Sequence, residues 1–430
     1  MGGNVTIVLG LFWGNECKGK LVDMLSQYYD TVARANGSDD HFRKMEYNNE
    51  TCAFRVMPFG FYNNHSSLVI GDGFFLNPCV LALEVQALQK AGFDFSNRLI
   101  ISDKCHIIMP YHKIFDENEK NYLFREPFTL SFGSSSAMCD KVSKDGVQLG
   151  DFITCNKDVF KEKFEQMCFS HLQKRIHYIE NYYKRCISEL DEYYKAISFL
   201  SQFIGDTTSF IHSQIKKEKY ILVEGPSSSM LDVTSGNYPF VSSDFCTSGA
   251  ICSSLGIGPK AVSEVIGVTR PYCTKDDYSP LVTSVDNETN SLFTEYENEN
   301  DFCPPNRRFG WLDLVALKYS CMINGVTSLA ITRLDTIGRF DKIKVCTGYR
   351  DKISNAITNK YSPRNEYLAS IVPHYLELEG NFFDIVNSSS YGTLPVNALN
   401  FLNLIEDYLE IPIQYISTGA SKEYLIRVPV

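Results

Sequence analysis

The sequence predicts an α/β fold with a central, mainly parallel sheet and helices on both of its faces. Short runs of β-branched and other apolar residues alternate along the chain with helical stretches, and buried parallel strands have such continuous apolar runs. The 430 residues are 44% hydrophobic and 21% charged, which is enough for a large core. Neither an internal repeat nor a low-complexity linker divides the sequence. It therefore predicts a single domain over 1–430, with a helical insertion at about 156–217.

The predicted elements follow from local patterns. In chain order, the predicted strands are Val5–Leu11, Leu68–Ile70, Leu99–Ile101, Tyr220–Val223, Ser328–Thr332 and Ile343–Thr347. Between the third and fourth strands, apolar residues recur at steps of three and four from Leu172 to Ile197. This period predicts one long helix whose apolar face packs in the core or against a subunit. The segment Asp276–Asn306 is rich in Asp, Asn, Glu, Ser and Pro and is predicted to form a loop.

The composition excludes several classes of protein. A formal charge of −10 and a pI near 5.4 argue against a nucleic-acid or membrane-surface binder, because both require a basic surface. The 14 cysteines form neither a CxxC pair nor a Cys/His spacing typical of zinc, so reduced thiols are predicted. A secretory signal is absent, and no apolar run approaches the roughly 18 residues of a membrane helix. We therefore expect a cytoplasmic protein that does not contact a membrane.

A loop with glycines and lysines follows the first predicted strand. Gly10, Gly14 and Gly19 are closely spaced with Lys18 and Lys20 in the segment LGLFWGNECKGKLVD, residues 9–23. Glycines let backbone N–H groups approach a ligand closely, and N–H groups and ammonium charges together bind phosphates. The spacing differs from the GxxxxGK[ST] pattern of a Walker A loop. The loop therefore predicts a phosphate site of another kind.

Several segments, in the same order along the chain, resemble those of one enzyme family. Residues 9–23 are similar to a signature that runs WGDEGKGKIVD, and the segment ILVEGPSSSMLDVTSGNYPFV at 221–241 is similar to VLxEGAQGxxLDxxxGTYPFV. Other similar segments are VIGDGFFLNPCVLALE at 69–84, LIISDKCHIIMPYH at 99–112, FGWLDLVAL at 309–317, TRLD at 332–335, YLELEG at 375–380 and YISTG at 415–419. Over nearly its whole length the chain resembles adenylosuccinate synthetase.

This resemblance implies a fold related to that of P-loop GTPases, a homodimer and a reaction in two steps. GTP phosphorylates the 6-oxygen of IMP, and the amine of aspartate then displaces that phosphate, with Mg²⁺ bound to the phosphates. The chemistry needs a base for N1 of the hypoxanthine, an acid and a concentrated positive charge. GTP and an IMP-like purine nucleotide are thus the implied partners.

Residues are assigned to these tasks by their positions in the matching segments. Asn15 stands where the family has its catalytic aspartate, and Lys18 supplies positive charge. His41 matches the acid histidine, and Ser227 replaces a glutamine that helps to hold IMP. Asn15 and Asp40 are the implied magnesium ligands. The other implied nucleotide-binding residues are Gly14, Cys17, Gly19, Lys20, Gly133, Ser134, Ser135, Lys144, Ser242, Arg307, Arg333, Asp335 and Gly419.

Two alternatives remain for Asp335. The resemblance implies that its carboxylate accepts hydrogen bonds from N1–H and the 2-amino group of guanine, with Arg333 in place of a lysine that covers the ring. The other alternative is a strand-end aspartate that caps the turn Thr336–Gly338. Arg307 matches an arginine that serves the ribose hydroxyls and the incoming amino acid. Two prolines in the segment Cys303–Arg307 replace parts of the aspartate-binding loop, which predicts poor binding of free aspartate.

Three hypotheses about function remain open. The chain is a ligase of this family with an altered purine or amine substrate, a catalytically silent purine-nucleotide-binding paralogue with a regulatory or sensing role, or an ordinary adenylosuccinate synthetase. Asn15 bears most strongly on the choice, because an amide cannot take up a proton at neutral pH. Some phage-encoded relatives also lack the aspartate and act on dGMP, so its loss does not by itself abolish ligation.

Overall fold

The computed structural model describes residues 4–40, 43–47, 50–119, 132–298, 303–419 and 422–429. The chain divides into two compact units. The first unit consists of Met1–Val5, Leu25–Pro226 and Ala250–Ala261, and the second of Thr6–Met24, Ser227–Gly249 and Val262–Val430. A single domain over 1–430 stays a prediction. Among the residues that the structure describes, no helix is both long and apolar enough to cross a membrane.

The described residues form strands in both units and a run of helices between β7 and β8. The strands are β1 Val5–Gly10, β2 Thr31–Gly37, β3 Arg43–Tyr47, β4 Glu50–Phe54, β5 Ser67–Leu76, β6 Leu99–Ser102, β7 His106–Ile107, β8 Ile204–Gly205, β9 Ile221–Ser228, β10 Val262–Thr269, β11 Tyr272–Lys275, β12 Arg308–Asp313, β13 Ser328–Ile331, β14 Lys342–Asp351, β15 Ile357–Thr358, β16 Ile371–Glu379, β17 Ile413–Ser417 and β18 Leu425–Arg427. The helices are α1 Lys18–Ser26, α2 Pro78–Lys90, α3 Pro110–Glu119, α4 Ser134–Ser143, α5 Lys157–Arg175, α6 Glu180–Ser188, α7 Leu190–Leu200, α8 Thr207–Lys216, α9 Ser248–Ser254, α10 Asn287–Asn298, α11 Leu314–Asn324, α12 Leu334–Ile337, α13 Asn365–Ser370 and α14 Val396–Leu409.

The first unit is built on a parallel sheet. Its strands follow the order β9-β2-β5-β6-β8, and each of these neighbours pairs in parallel. Val32 lies opposite Leu222 on one side and opposite Leu68 on the other, and all three side chains are fully buried. Strands covered on both faces explain the continuous apolar runs in the sequence.

The second unit contains two sheets. One has the order β18-β17-β13-β10-β1, in which β13 is parallel to both β10 and β17, and β18 is antiparallel to β17. The other has the order β11-β12-β14-β15, with β16 also paired to β14. The strand predicted at Ile343–Thr347 is part of β14 and so lies in this second sheet. The prediction of an α/β fold with a mainly parallel sheet is confirmed.

The prediction of one long helix between residues 172 and 197 is wrong. The segment lies in α5, α6 and α7, and Ile176, the residue after α5, has an extended backbone with φ −131° and ψ 132°. The three helices pack on one another. Each helix therefore keeps an apolar face, and the steps of three and four residues continue across the breaks.

The prediction of a loop over Asp276–Asn306 is also wrong in part, because the segment contains α10. The side chain of Asp286 accepts a hydrogen bond from the backbone N–H of Thr289 at 2.8 Å near the start of this helix. Phe293 and Glu297 are buried on it. The polar composition of the segment thus reflects a helix whose buried face includes a carboxylate.

Candidate functional site

The predicted phosphate loop, residues 10–19, lies in the second unit between β1 and α1. Gly14, Asn15 and Cys17 have positive φ angles of 103°, 65° and 60°. The buried side chain of Glu16 accepts hydrogen bonds from the backbone N–H groups of Phe12 at 3.0 Å and Gly14 at 3.1 Å. It also accepts one from the Ser228 hydroxyl at 2.5 Å. Glu16 therefore holds the loop in shape from inside, and its carboxylate is already satisfied.

The two lysines of this loop are held in different ways. The Lys18 ammonium donates to the backbone carbonyl of Ser227 at 3.3 Å. The Lys20 ammonium donates to the Ser417 hydroxyl and to the Gly419 carbonyl, both at 2.7 Å. Burial lowers the pKa of Lys20 to about 8. Both lysines lie in the first turn of α1, and the N-terminal end of a helix favours an anion through its free backbone N–H groups.

Asn15 contacts a carboxylate that the sequence analysis did not single out. Its side-chain amide donates to Asp276 Oδ2 at 3.3 Å. Arg307 binds the same carboxylate with two hydrogen bonds, from Nε at 2.8 Å and from Nη2 at 2.9 Å. Burial alone would raise the pKa of Asp276, but the hydrogen bonds and charge of Arg307 hold it below its usual value. Asp276 is therefore an anion that connects Asn15 to Arg307.

Three arginines of the second unit surround one buried carboxylate. We call Arg270, Arg307 and Arg333 the arginine cluster. Their guanidinium groups lie 2.9, 3.8 and 3.4 Å from the carboxylate of Glu297, in that order. The Tyr272 hydroxyl donates to the same carboxylate. All five of these residues are buried. Burial opposes the charge on Glu297, but Arg270 and Arg333 still lower its pKa.

The arginine cluster also contacts the phosphate loop. The guanidinium of Arg270 donates to the Cys17 sulfur at 3.6 Å. Arg270 follows β10 and Arg333 follows β13, two neighbouring parallel strands. Residues after the carboxyl ends of parallel strands gather at one edge of a sheet, which is where α/β proteins bind ligands. The cluster is thus placed beside a loop suited to phosphates.

Sequence analysis missed Arg270, Asp276 and Glu297. Glu297 lies on α10, in the segment predicted as a loop, and Arg270 has no matching position in the quoted motifs. The sequence did contain a signal for these residues. Buried arginines require carboxylate partners, and the acidic segment 276–306 supplies them.

Asp335 lies in the first turn of α12, two residues after the left-handed residue Arg333 with φ 56°. Its side chain is 5% exposed, and burial raises its pKa. Within the described part of the chain, Asp335 Oδ1 has no hydrogen-bond partner. A cavity of about 450 Å³ is lined by Tyr296, Asp335, Arg339, Phe383 and Val386. The turn-capping alternative gains no hydrogen bond to this oxygen, whereas a ligand in the cavity could supply one.

The first unit holds the predicted turn Gly133–Ser135. Gly133 has φ 89° and precedes α4, and Asp116 accepts hydrogen bonds from its N–H at 2.9 Å and from the Ser136 hydroxyl at 2.6 Å. The Ser134 hydroxyl donates to Asp40 at 2.7 Å. Two carboxylates of the chain therefore already contact this helix N-terminus, where a phosphate was predicted.

The remaining predicted site residues make few contacts or lie outside the described part of the chain. Lys144 ends α4 and is exposed, and the Ser242 hydroxyl donates to Asp244 at 3.4 Å. His41 lies outside the described residues. No group of three or more His, Cys, Asp or Glu side chains suited to a metal is found within the described ranges. Magnesium ligation by Asn15 and Asp40 stays a prediction. Gly14, Cys17, Gly19, Lys20, Ser227, Arg307, Arg333, Asp335 and Gly419 all lie in the second unit.

Comparison with known proteins shows which family the chain resembles. The family model of adenylosuccinate synthetase matches residues 7–426. Adenylosuccinate synthetase from Flavobacterium johnsoniae is 33% identical over 427 residues, which cover 98% of this chain and 99% of that protein. The structure of fully ligated adenylosuccinate synthetase from Plasmodium falciparum has a TM-score of 0.89 and 28% identity, covering 99% of this chain and 100% of the other.

A second solved structure is similar in fold alone. Succinoaminodeoxyadenylate synthetase of cyanophage S-2L, bound to dGMP and to dATP as an energy donor, has a TM-score of 0.62 at 14% identity. The match covers 100% of this chain and 97% of the phage chain. The family match and the curated relative, which both span nearly the whole chain, decide the assignment. This chain belongs to the adenylosuccinate synthetase family.

Proposed function

We propose that this chain is a GTP-dependent carbon–nitrogen ligase that acts on a 6-oxopurine nucleotide of the IMP or dGMP type. The γ-phosphoryl group of GTP is transferred to the 6-oxygen of the purine, an amine attacks C6, and phosphate leaves. Family membership supports this class of reaction. The same resemblance supports a homodimer, and the composition of the chain supports a cytoplasmic location; both remain predictions.

One observation carries the proposal that the phosphoryl donor is GTP. Asp335 is buried, borders a cavity and has a carboxylate oxygen that accepts no hydrogen bond from the described residues. Guanine presents two neighbouring donors, N1–H and the 2-amino group, that match the two oxygens of one carboxylate. Arg339, whose guanidinium lies 4.7 Å from the Tyr296 ring centroid, gives the cavity an aromatic and cationic wall.

The phosphate loop supports the same proposal. Lys18 and Lys20 concentrate positive charge at the N-terminal end of α1, as transfer of a phosphoryl group requires. Mg²⁺ bound to the phosphates would neutralise further charge, because this ion is commonly held by substrate phosphates and only one or two protein oxygens. Asn15 could supply one such oxygen, since its amide nitrogen is the atom directed at Asp276.

The guanine assignment is tested by exchanging donor and acceptor. Asp335→Asn presents an N–H group where guanine has donors, so we expect GTP to bind at least about tenfold more weakly and XTP, which has a carbonyl at C2, to bind more tightly. Calorimetric titration of the full chain with each nucleotide measures both effects. Asp341→Asn removes an exposed carboxylate from the residues after α12 and is the matched control. Unchanged affinity of Asp335→Asn for both nucleotides would overturn the assignment.

A second candidate function is a catalytically silent purine-nucleotide-binding protein. Asn15 favours it, because no amide can accept the proton that activation of N1 releases. Both candidates share the guanine site, so nucleotide binding does not separate them. Turnover does distinguish the two candidates. The Asn15→Asp substitution described in the Discussion makes turnover easier to detect than it is in the natural sequence.

A further inference from the structure

The arginine cluster is neutralised by side chains of the chain itself. Glu297 is 3% exposed and lies within 4.0 Å of all three guanidinium groups. Asp276 occupies both Nε and Nη2 of Arg307. Three positive charges thus meet two carboxylates, and one positive charge remains in excess. The arrangement places two carboxylates of the chain on arginines beside the predicted phosphate loop, and one of these arginines, Arg307, is the residue that the family resemblance assigns to the incoming amino acid.

An incoming carboxylate must compete with these internal ones. A carboxylate fixed in the fold acts at an effective concentration of about millimolar or more, without the entropy that a free ligand loses on binding. Displacing Glu297 would also leave a buried charge without its partners, which is strongly unfavourable. Displacing Asp276 is easier, since its side chain is 43% exposed. An amine with two carboxylates would bring two negative charges to a cluster with one positive charge in excess.

We infer that Asp276 and Glu297 are specificity-determining residues that exclude dicarboxylic amino acids from the arginine cluster, so that the amine donor is ammonia or an amine without a carboxylate at this position. One part of the inference rests on the proposed function: that the amine is a substrate of a ligase. The exclusion itself concerns binding and does not require turnover.

The experiment is a calorimetric titration of the full chain with L-aspartate and with succinate, alone and with saturating IMP. We expect no saturable binding by the natural sequence at millimolar ligand. Asp276→Asn frees the Arg307 fork and leaves two positive charges in excess, so at least about tenfold tighter binding of both ligands is expected. Asp277→Asn is the matched control, because it removes an equal charge one residue away, and its carboxylate lies 4.0 Å from Arg308 and not on the cluster.

A second variant keeps the test decisive. Glu297→Gln removes the buried carboxylate and, if circular dichroism shows that it folds, is expected to bind succinate more tightly than the natural sequence does. Millimolar aspartate binding by the natural sequence, or no gain in Asp276→Asn while that variant keeps its circular dichroism spectrum, overturns the inference. Absence of turnover with every amine counts against the proposed function and leaves these binding results unaffected.

Discussion

Asn15 is the residue on which the proposed catalysis depends most. Its left-handed backbone, φ 65°, is one that Asn and Asp tolerate better than most residues, so the loop accepts either side chain. Its amide donates to Asp276, and that hydrogen bond holds the side chain at the edge of the phosphate loop. General-base catalysis typically contributes about 10²–10⁴-fold, which is therefore the expected cost of an amide at this position.

Asn15→Asp is expected to raise the rate of phosphate release from GTP in the presence of IMP by at least about tenfold. The reason is that a proton acceptor is restored while Lys18 and Lys20 still supply positive charge. A coupled phosphate assay measures the rate, and Asn15→Ala is the control because it removes the amide without adding a base. The gain is smaller than the full general-base contribution, since the new carboxylate lies beside Asp276 and the two repel.

An Asn15→Asp variant that binds GTP and the purine nucleotide but releases no phosphate with either IMP or dGMP would contradict the ligase proposal. It would mean that the geometry for phosphoryl transfer is lost at more than one residue. The silent nucleotide-binding function would then be the better description of this chain.

At single positions, the sequence predicts what lies in contiguous motifs. Lys18, Lys20, Arg333 and Asp335 are found because each belongs to a short segment with a recognisable spacing. The contact between Arg270 and Glu297 is not found, since 27 residues separate them and only the packing of α10 brings them together. Charge pairs of this kind are properties of the fold and leave no local pattern.

At the scale of elements, Asp313 connects a helix to a neighbouring strand. It precedes α11, and its Oδ1 accepts the backbone N–H groups of Val315 at 3.1 Å and Ala316 at 3.0 Å. Its Oδ2 accepts from the Tyr349 hydroxyl on β14 at 2.7 Å. Asp313 is 2% exposed. One side chain thus satisfies two helix N–H groups and a buried hydroxyl.

Asp313→Ala is expected to lower the free energy of unfolding by about 2–4 kcal/mol. Loss of an N-cap costs about 0.5–2 kcal/mol, and a buried hydroxyl left without a partner adds about 1–3 kcal/mol. Urea denaturation followed by circular dichroism measures the change. Tyr349→Phe is the control that removes the hydroxyl alone, and it should cost clearly less than Asp313→Ala. Equal costs for the two variants would show that the cap contributes nothing.

Strands that are buried on both faces were predicted correctly. Helices were predicted wrongly where polar residues outnumber the apolar residues of the buried face, or where the apolar period continues past the end of a helix. The strands β1, β5, β6, β9 and β13 are recognised because both of their faces are covered and their apolar runs are continuous. Helix α10 escapes because polar residues dominate its exposed face, and the buried face includes a glutamate. The breaks between α5, α6 and α7 escape because apolar periodicity continues across them.

For the whole molecule, the net charge of −10 and the phosphate site are compatible because the positive charge is local. Lys18, Lys20 and the arginine cluster all lie in the second unit, so the proposed nucleotide site is locally cationic although the protein as a whole is acidic. Composition alone excludes nucleic acid as an expected partner and does not reveal this site. The ordered motifs predict the site and the family, and the family is confirmed, whereas the neutralised arginine cluster could not be predicted from the sequence.

The stability of the protein is expected to depend on pH through His106. Burial, and secondarily the charge of Lys141, lowers the pKa of His106 to about 4 from an unfolded value near 6.5. Between these values the unfolded chain binds the proton that the folded chain does not, so stability increases with pH across that range and is lost as pH falls. The ring is buried and lies 6.1 Å from the Phe75 ring, which leaves no aqueous shell for a charge.

His106→Gln should therefore flatten the acid side of the stability curve. A pKa difference of this size corresponds to at most about 3 kcal/mol, so the natural sequence is expected to lose about that much between pH 7.5 and pH 4 through this residue. Urea midpoints of both proteins across this range measure the effect, and the difference between their slopes isolates His106 from the carboxylates, which titrate equally in both. Parallel curves for the two proteins would show that His106 is not buried in its neutral form.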